Sequence, residues 1–125
     1  MPDPFPVAVL LTHCSGRSYV ADGILLTIAI PTYNGARTIA RSLATILPEL
    51  NSMVEVLVSD NASDDGTSEI VQEIAANCPQ LNYFRNGSNV GFDRNVDLCI
   101  RRAQGDFVWL ISDDDIIWQK GAVER

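Results

Sequence analysis

Four short apolar runs, each ending in a polar segment of turn-forming residues, constrain the fold of this chain more than any other feature. The runs cover residues 25–30, 54–58, 81–85 and 107–111. Their length and their β-branched residues favour strands that are apolar on both faces. Strands of that kind belong to parallel sheets whose two faces are covered by helices.

Helical periodicity fills the intervals between these runs. Apolar residues recur there three or four positions apart: Ile39, Leu43, Ile46 and Leu47; Ile70, Val71 and Ile74; Phe92, Val96, Ile100 and Ala103. Residues 34–35 and Pro48 are predicted to bound the first helix, and Gly105 suits the position just past the last one. The alternation predicts an α/β fold, a Rossmann-like and mostly parallel sheet of about four strands with helices on both faces.

The chain divides into two parts. Residues 1–23 begin with three prolines in six positions and carry no readable pattern, so they are treated as an N-terminal extension of unknown role. Residues 24–125 are predicted to form one domain. No apolar run approaches the roughly 20 residues of a membrane helix, and no secretory signal is recognisable.

Charge and cysteine usage exclude several classes of function. The net charge of −7 disfavours binding to a nucleic-acid backbone. Cys14, Cys78 and Cys99 are spaced neither for a disulfide framework nor for a zinc site, which fits a reduced, cytoplasmic compartment. The single histidine, His13, lies in the N-terminal extension, which argues against a histidine-based hydrolase. Neither of the common glycine-rich phosphate-binding loops is present.

The polar residues are concentrated after the predicted strands. Ligands of parallel sheets bind at the carboxyl ends of the strands, so four such segments are expected to converge on one edge. The segments are residues 31–34, 59–66, 86–91 and 112–115.

The aspartate run Asp113, Asp114 and Asp115 is the sharpest of these features. Adjacent carboxylates raise one another's pKa unless a cation lies among them. Oxygen ligands of this kind suit Mg²⁺ or Mn²⁺ bound through one or two carboxylates and substrate phosphates. The alternative is a solvated acidic turn.

The other candidate residues each have two interpretations. Asp60 either organises a turn or accepts a hydrogen bond from a nucleobase. Tyr33 either stacks on a base or packs on the sheet edge. Arg94 and Asn95, at a predicted helix start, either meet phosphate or form a solvated first turn.

These motifs resemble glycosyltransferase family 2, which has the GT-A fold. The resemblance runs from about residue 26 to residue 118 and rests on five segments in order: residues 28–34, 56–67, 89–95, 104–106 and 112–115. The forms Asn-Val-Gly-Phe-Asp-Arg-Asn and Ser-Asp-Asp-Asp are most similar to bacterial enzymes of the abequosyltransferase type. Such enzymes add deoxysugars to O-antigen or other surface polysaccharides.

The resemblance implies a site for a nucleoside-diphosphate sugar donor. Its implied residues are Pro31, Thr32, Tyr33, Asn34, Asp60, Asn61, Asn89, Gly91, Arg94, Asn95 and Asp113. The aspartate run matches the family's D-x-D metal motif. Asp114 is the favoured metal ligand, with Asp113 and Asp115 close behind, and the cation is Mg²⁺ or Mn²⁺.

The resemblance also implies what the rest of such an enzyme does. Family members continue well beyond the aspartate motif, and that second half carries the acceptor site and the catalytic base. The base is therefore expected beyond Arg125, and this chain is expected to be a truncated donor-binding part. The parent enzyme would transfer a sugar with inversion to a saccharide or lipid-linked acceptor, peripherally at the inner face of the membrane. Surface exposed by truncation would allow a homodimer.

Two alternatives from other classes remain open at this stage. One is a non-catalytic nucleotide-binding module. The other is a receiver-type signalling domain, which needs an acidic pair after the first strand and a lysine late in the sheet. The first strand is instead followed by residues 31–34, and the sole lysine is Lys120.

Overall fold

A computed structural model of the chain describes residues 23–117. Strands and helices alternate as the sequence predicts: β1 (Leu26–Thr32), α1 (Ile39–Ile46), a 3₁₀ helix (Leu47–Glu49), β2 (Val54–Asp60), α2 (Thr67–Ala75), β3 (Leu81–Arg85), α3 (Phe92–Arg102) and β4 (Phe107–Leu110). The proposed N-terminal extension lies outside the described residues, except for Gly23.

The strands form one parallel sheet in the order β3-β2-β1-β4. The chain moves outward from β1 to β2 and β3, then crosses back so that β4 pairs with the other side of β1. The direction of winding therefore reverses between β1 and β4. In open α/β sheets, a crevice opens at the carboxyl ends of the strands at such a switch point.

Helices α1 and α2 cover one face of the sheet. The core there contains side chains with little or no exposure from β1 and β2, among them Ile28, Ile30, Val56 and Val58. They pack against the apolar faces of the two helices, which contribute Ile39, Leu43, Ile46, Val71 and Ile74. Truncating such a side chain to alanine typically costs about 2–5 kcal/mol.

Helix α3 covers the opposite face, so the prediction of helices on both faces is confirmed. Its Cys99 packs on Ala29 and Leu57, and burial raises the pKa of that thiol to about 11. The same face carries Glu55, which is 1% exposed. Its carboxylate accepts hydrogen bonds from three donors: Thr27 Oγ1 at 3.0 Å, Asn82 Nδ2 at 3.0 Å and the Gln104 N–H at 2.8 Å.

Strand β4 is less buried than its apolar sequence suggests. Phe107, Trp109 and Leu110 are 66%, 40% and 41% exposed. Within residues 23–117 the strand has one neighbour, β1, and lies at the margin of the sheet. An apolar run predicts a strand, but its position in the sheet decides how much of it is covered.

Two predicted helix boundaries are shifted. Helix α1 begins at Ile39 because residues 36–38 form a turn, and it ends before Pro48, which lies in the 3₁₀ helix. Gly105 does not cap α3, whose C-cap Ala103 has an extended conformation. A Cβ at Gly105 would lie 2.6 Å from the Thr27 nitrogen, so this glycine allows the chain to pass close to β1.

Among the described residues, no helix is both long and apolar enough to cross a bilayer.

Candidate functional site

A cavity of about 460 Å³ opens at the carboxyl ends of β1 and β4, at the switch point of the sheet. Each of the four polar segments identified in the sequence contributes to its wall, the second through Asn61 alone. The lining residues are Pro31, Thr32, Tyr33, Asn61, Asn89, Gly91, Phe92, Asn95, Ser112 and Asp113. Most of the residues implied for donor binding therefore line the same cavity.

Asp113 is the carboxylate that faces this cavity. Its Oδ2 accepts a hydrogen bond from Thr32 Oγ1 at 2.6 Å, and its main-chain oxygen accepts one from Ser42 Oγ at 2.8 Å. Burial raises the pKa of Asp113, the bond from Thr32 opposes that rise, and the nearby charge of Asp114 adds to it. Gly35 lies directly against this carboxylate.

Asp114 and Asp115 are exposed and are not among the residues that line the cavity. Ser112 Oγ donates to Asp114 Oδ1 at 2.6 Å, and the Ser112 N–H donates to Asp115 Oδ2 at 2.8 Å. Their carboxylates therefore close the turn after β4. No cluster of three or more metal-ligating side chains exists within residues 23–117. Of the three adjacent carboxylates, the structure places Asp113 in the wall.

Asp60 is completely buried at the end of β2 and does not line the cavity. Its Oδ1 accepts bonds from the Ser63 N–H at 2.9 Å and from Ser63 Oγ at 2.6 Å, and its Oδ2 accepts one from the Tyr83 hydroxyl. Burial, reinforced by the bond to Asp60, raises the pKa of Tyr83 to about 12. In this arrangement Asp60 organises the turn after β2.

Asn34 connects two of the polar segments. Its conformation is left-handed, with a φ of 52°. Its N–H donates to Ser63 Oγ at 2.8 Å, and its Oδ1 accepts from the Asp64 N–H at 2.9 Å. Asn34 therefore joins the segment after β1 to the segment after β2.

Arg94 is exposed in the first turn of α3 and does not line the cavity. Asp97, three residues further along the helix, pairs with Arg101 at 2.7 Å.

Three asparagines lie in the wall, and two of them are committed to internal bonds. Asn61 donates to Asn89 Oδ1 at 2.8 Å and accepts from the Val90 N–H at 2.9 Å. The amide of Asn95 is bonded to Ser59 through both of its polar atoms. The Nδ2 of Asn89 makes no hydrogen bond within the described residues, so Asn89 has donors available to a ligand.

Two lining residues, Phe92 and Ser112, were not predicted as site residues. Phe92 is 72% exposed, although its spacing assigns it to the apolar face of α3. An apolar side chain in the first turn, directly after Gly91, was the available signal. Ser112 directly follows the predicted strand at residues 107–111, and that position was the available signal.

Comparison with known proteins agrees with this architecture. The family model described as "Glycosyl transferase family 2" matches residues 27–125. The abequosyltransferase RfbV of Salmonella typhimurium is 35% identical over 97 residues, covering 75% of this chain and 29% of that protein. The GalNAc(5)-diNAcBac-PP-undecaprenol beta-1,3-glucosyltransferase of Campylobacter jejuni is 29% identical over 91 residues, covering 72% of this chain and 29% of that protein.

The crystal structure of S. aureus TarS residues 1–349 has a similar fold. It is solved in complex with UDP and with UDP-GlcNAc. In the UDP complex the TM-score is 0.71 at 25% identity, covering 80% of this chain and 30% of that chain. The parallel sheet is thus that of a GT-A glycosyltransferase. The chain spans roughly 30% of the length of these relatives.

Proposed function

Because the chain belongs to glycosyl transferase family 2, we propose that the cavity between β1 and β4 binds a nucleoside-diphosphate sugar. The observation that carries the proposal is the meeting of Thr32, Asn61 and Asp113 at the switch point of the sheet. A relative of similar fold, TarS, is solved with UDP and UDP-GlcNAc. Family membership excludes the receiver-domain alternative.

Each wall of the cavity suits a different part of such a donor. Tyr33 lies beside Thr32 and is 48% exposed, so part of its ring is available for stacking on a base. Asn89 offers its unbonded amide N–H groups to donor oxygens. Arg94 lies near the same rim, where its exposed guanidinium is suited to the diphosphate. A direct bond from Asp60 to the base would require Asp60 to exchange its Tyr83 or Ser63 partner.

The residues present fit a divalent cation held mainly by the ligand. Asp113 bonds Thr32 through Oδ2, and its Oδ1 makes no hydrogen bond to another described residue. A single carboxylate together with diphosphate oxygens and water is the usual coordination of Mg²⁺ in nucleotide sites, and Mn²⁺ accepts the same oxygen ligands. We therefore assign the direct contact to Asp113, and an indirect role to Asp114 and Asp115. When bound, the cation supplies positive charge where the leaving diphosphate becomes more negative.

The proposed reaction of the parent enzyme is transfer of the sugar, with inversion, to a saccharide or lipid-linked acceptor. A relative described as a GalNAc(5)-diNAcBac-PP-undecaprenol beta-1,3-glucosyltransferase supports a lipid-linked saccharide as acceptor. The residues described here bind and orient the donor. A general base for the acceptor hydroxyl is not assigned to any of them.

Calorimetry with UDP, CDP and GDP tests the proposal, each measured with Mn²⁺ and with excess chelator. We expect at least one nucleotide to bind roughly tenfold more tightly with the metal, a difference of about 1.4 kcal/mol. Asp113→Asn should remove this difference. Asp106→Asn, an exposed control, should retain it.

The outcomes separate the parts of the proposal. No binding of any nucleotide would refute the donor site. Equal binding with chelator would refute the cation. Loss of metal dependence in Asp114→Asn, but not in Asp113→Asn, would return the contact to Asp114. Nucleotide binding by a full-length protein that transfers no sugar would favour the non-catalytic module.

A further inference from the structure

The guanidinium of Arg102 reaches from the last turn of α3 into a buried group of polar side chains. Its Nη1 donates to Ser59 Oγ at 3.0 Å and to Asn86 Oδ1 at 3.1 Å. Its Cζ lies 5.1 Å from the centre of the Phe84 ring. Arg102 thus connects the end of β2 with the segment that follows β3.

Arg102 makes no ion pair within residues 23–117. The salt bridge on the same helix joins Arg101 to Asp97 and is exposed. The charge of Arg102 is instead held by neutral oxygens and an aromatic face, both of which favour a cation. The contacts of Arg102 therefore determine which end of the neighbouring Asn86 amide accepts a hydrogen bond and which end donates one.

The amide of Asn86 donates to two further asparagines. Its Nδ2 donates to Asn61 Oδ1 at 3.1 Å and to Asn95 Oδ1 at 3.0 Å. Ser59 Oγ, which accepts from Arg102, donates to Asn95 Oδ1 at 2.8 Å. Ser59, Asn61, Asn86 and Asn95 are at most 5% exposed, so water does not readily replace these partners.

The last link reaches the cavity wall. Asn61 Nδ2 donates to Asn89 Oδ1 at 2.8 Å and to the Gly91 carbonyl at 3.3 Å, while Asn61 Oδ1 accepts from the Val90 N–H at 2.9 Å. Asn61, Asn89 and Gly91 all line the cavity. The side chain of Asn61 therefore fastens residues 89–91 to the end of β2.

The polarity of this chain of bonds is set from both ends, by Arg102 at one end and by the Val90 N–H and the Gly91 carbonyl at the other. An amide side chain has a donor end and an acceptor end and fits a polar site in either of two orientations. A guanidinium can only donate, so Asn86 must present Oδ1 to Arg102 and Nδ2 to Asn61. Asn61 must then present Oδ1 to Asn86, which leaves its Nδ2 for Asn89.

We propose that Arg102 is a positioning residue for the nucleotide cavity. Its donor-only side chain orients Asn86 so that the Nδ2 of this amide supports Asn61, which holds residues 89–91 as one wall. The inference rests on the proposed function for its binding readout. The geometry of the wall is measured independently of any ligand.

The test compares Arg102→Met with Arg101→Met, which removes the same charge from the neighbouring exposed position. NMR hydrogen exchange of the Val90 N–H reports the bond to Asn61, and calorimetry reports UDP affinity in the presence of Mn²⁺. In Arg102→Met we expect Val90 to exchange at least about tenfold faster and UDP to bind about tenfold more weakly. Arg101→Met should match the wild type in both measurements.

Two further variants separate positioning from a purely structural role. Arg102→Lys keeps a donor-only group and should restore part of both losses. Asn86→Asp keeps an acceptor for Arg102 but lacks the donor for Asn61, so it should reproduce the faster Val90 exchange. It also carries the test if Arg102→Met does not fold.

Unchanged Val90 exchange in both Arg102→Met and Asn86→Asp would overturn the inference, whatever happens to binding. If the wild type binds no nucleotide while Val90 exchange responds as expected, the proposed function fails and the role of Arg102 stands.

Discussion

Thr32 and Asp113 lie 81 positions apart in the chain and are joined by a 2.6 Å hydrogen bond from Thr32 Oγ1 to Asp113 Oδ2. The bond links the ends of β1 and β4 at the cavity. It also fixes the carboxylate that we assign to the cation. The following predictions concern this contact and the structure that supports it.

Replacing Thr32 by valine should raise the pKa of Asp113 further. Burial already raises it, and the hydroxyl bond is the main opposing effect. NMR titration of the Asp113 carboxyl carbon measures the change, and Thr32→Ser, which keeps the hydroxyl, should restore the wild-type pKa. An equal or lower pKa in the valine variant would contradict the role of the bond.

The same substitution has a consequence for stability. Because the pKa of Asp113 is raised in the folded state, its stabilising contribution is present below the unfolded pKa and is lost as pH rises through the folded value. The stability that Thr32→Val loses relative to the wild type should therefore be larger at neutral pH than at acid pH. Urea unfolding at several pH values checks the sign.

Gly35→Ala should displace Asp113. A Cβ at Gly35 would overlap Asp113 Oδ2 and lie 2.6 Å from Thr32 Oγ1. Overpacking of this kind costs about 1–3 kcal/mol of stability. Because the overlap is relieved by moving the Asp113 carboxylate, we also expect UDP affinity in the presence of Mn²⁺ to fall about tenfold. Gly87→Ala is the matched control, because a Cβ at Gly87 meets nothing within 4 Å. Equal affinities of the two variants would show that the carboxylate tolerates the methyl group.

Tyr83→Phe should remove a source of pH dependence at high pH. The pKa of Tyr83 is raised from its ordinary value of 10.0 to about 12. A raised pKa gives stability that is present below the unfolded value and is lost as pH rises towards the folded one. The wild type should therefore lose stability relative to Tyr83→Phe between these values. Parallel stability curves from urea unfolding would rule this out.

Glu55→Gln should destabilise the fold. Two of the three donors to Glu55 use Oε2, and an amide group there cannot accept from all three. Leaving a buried donor unsatisfied costs about 1–3 kcal/mol. Urea unfolding measures this loss, and the exposed Glu69→Gln should change stability by less than about 0.5 kcal/mol. A similar small change in both variants would count against the buried network.

Local pattern was sufficient to predict the elements and the parallel sheet. The bounds of β3 match the predicted run, and α2 begins directly after Gly66, which has a φ of 98°. Strand order was not predictable in this way, because it depends on crossovers and not on any residue's preference. The exposure of Trp109 follows from that order, and the predicted homodimer through such exposed surface stays a prediction.

The sequence predicted which segments surround the cavity, but not which atoms face it. Motif positions identified Thr32, Asn61 and Asp113, since strand ends converge in this fold. They did not show that Ser112 would hold the side chain of Asp114 and leave Asp113 to face the cavity. The bonds of Arg102 were not predictable from local pattern, because they join residues 16 and 43 positions apart.

Strand order also decides when the pocket is completed during protein synthesis. β1 leaves the ribosome first, but β4, its partner on the side away from β2, follows only after β2 and β3. A nascent chain that ends before residue 107 has the means to pair three strands, yet it has no Asp113 to place opposite Thr32. Such distant pairings close late in folding. The cavity that we propose for the nucleotide therefore forms only after Asp113 has been synthesised.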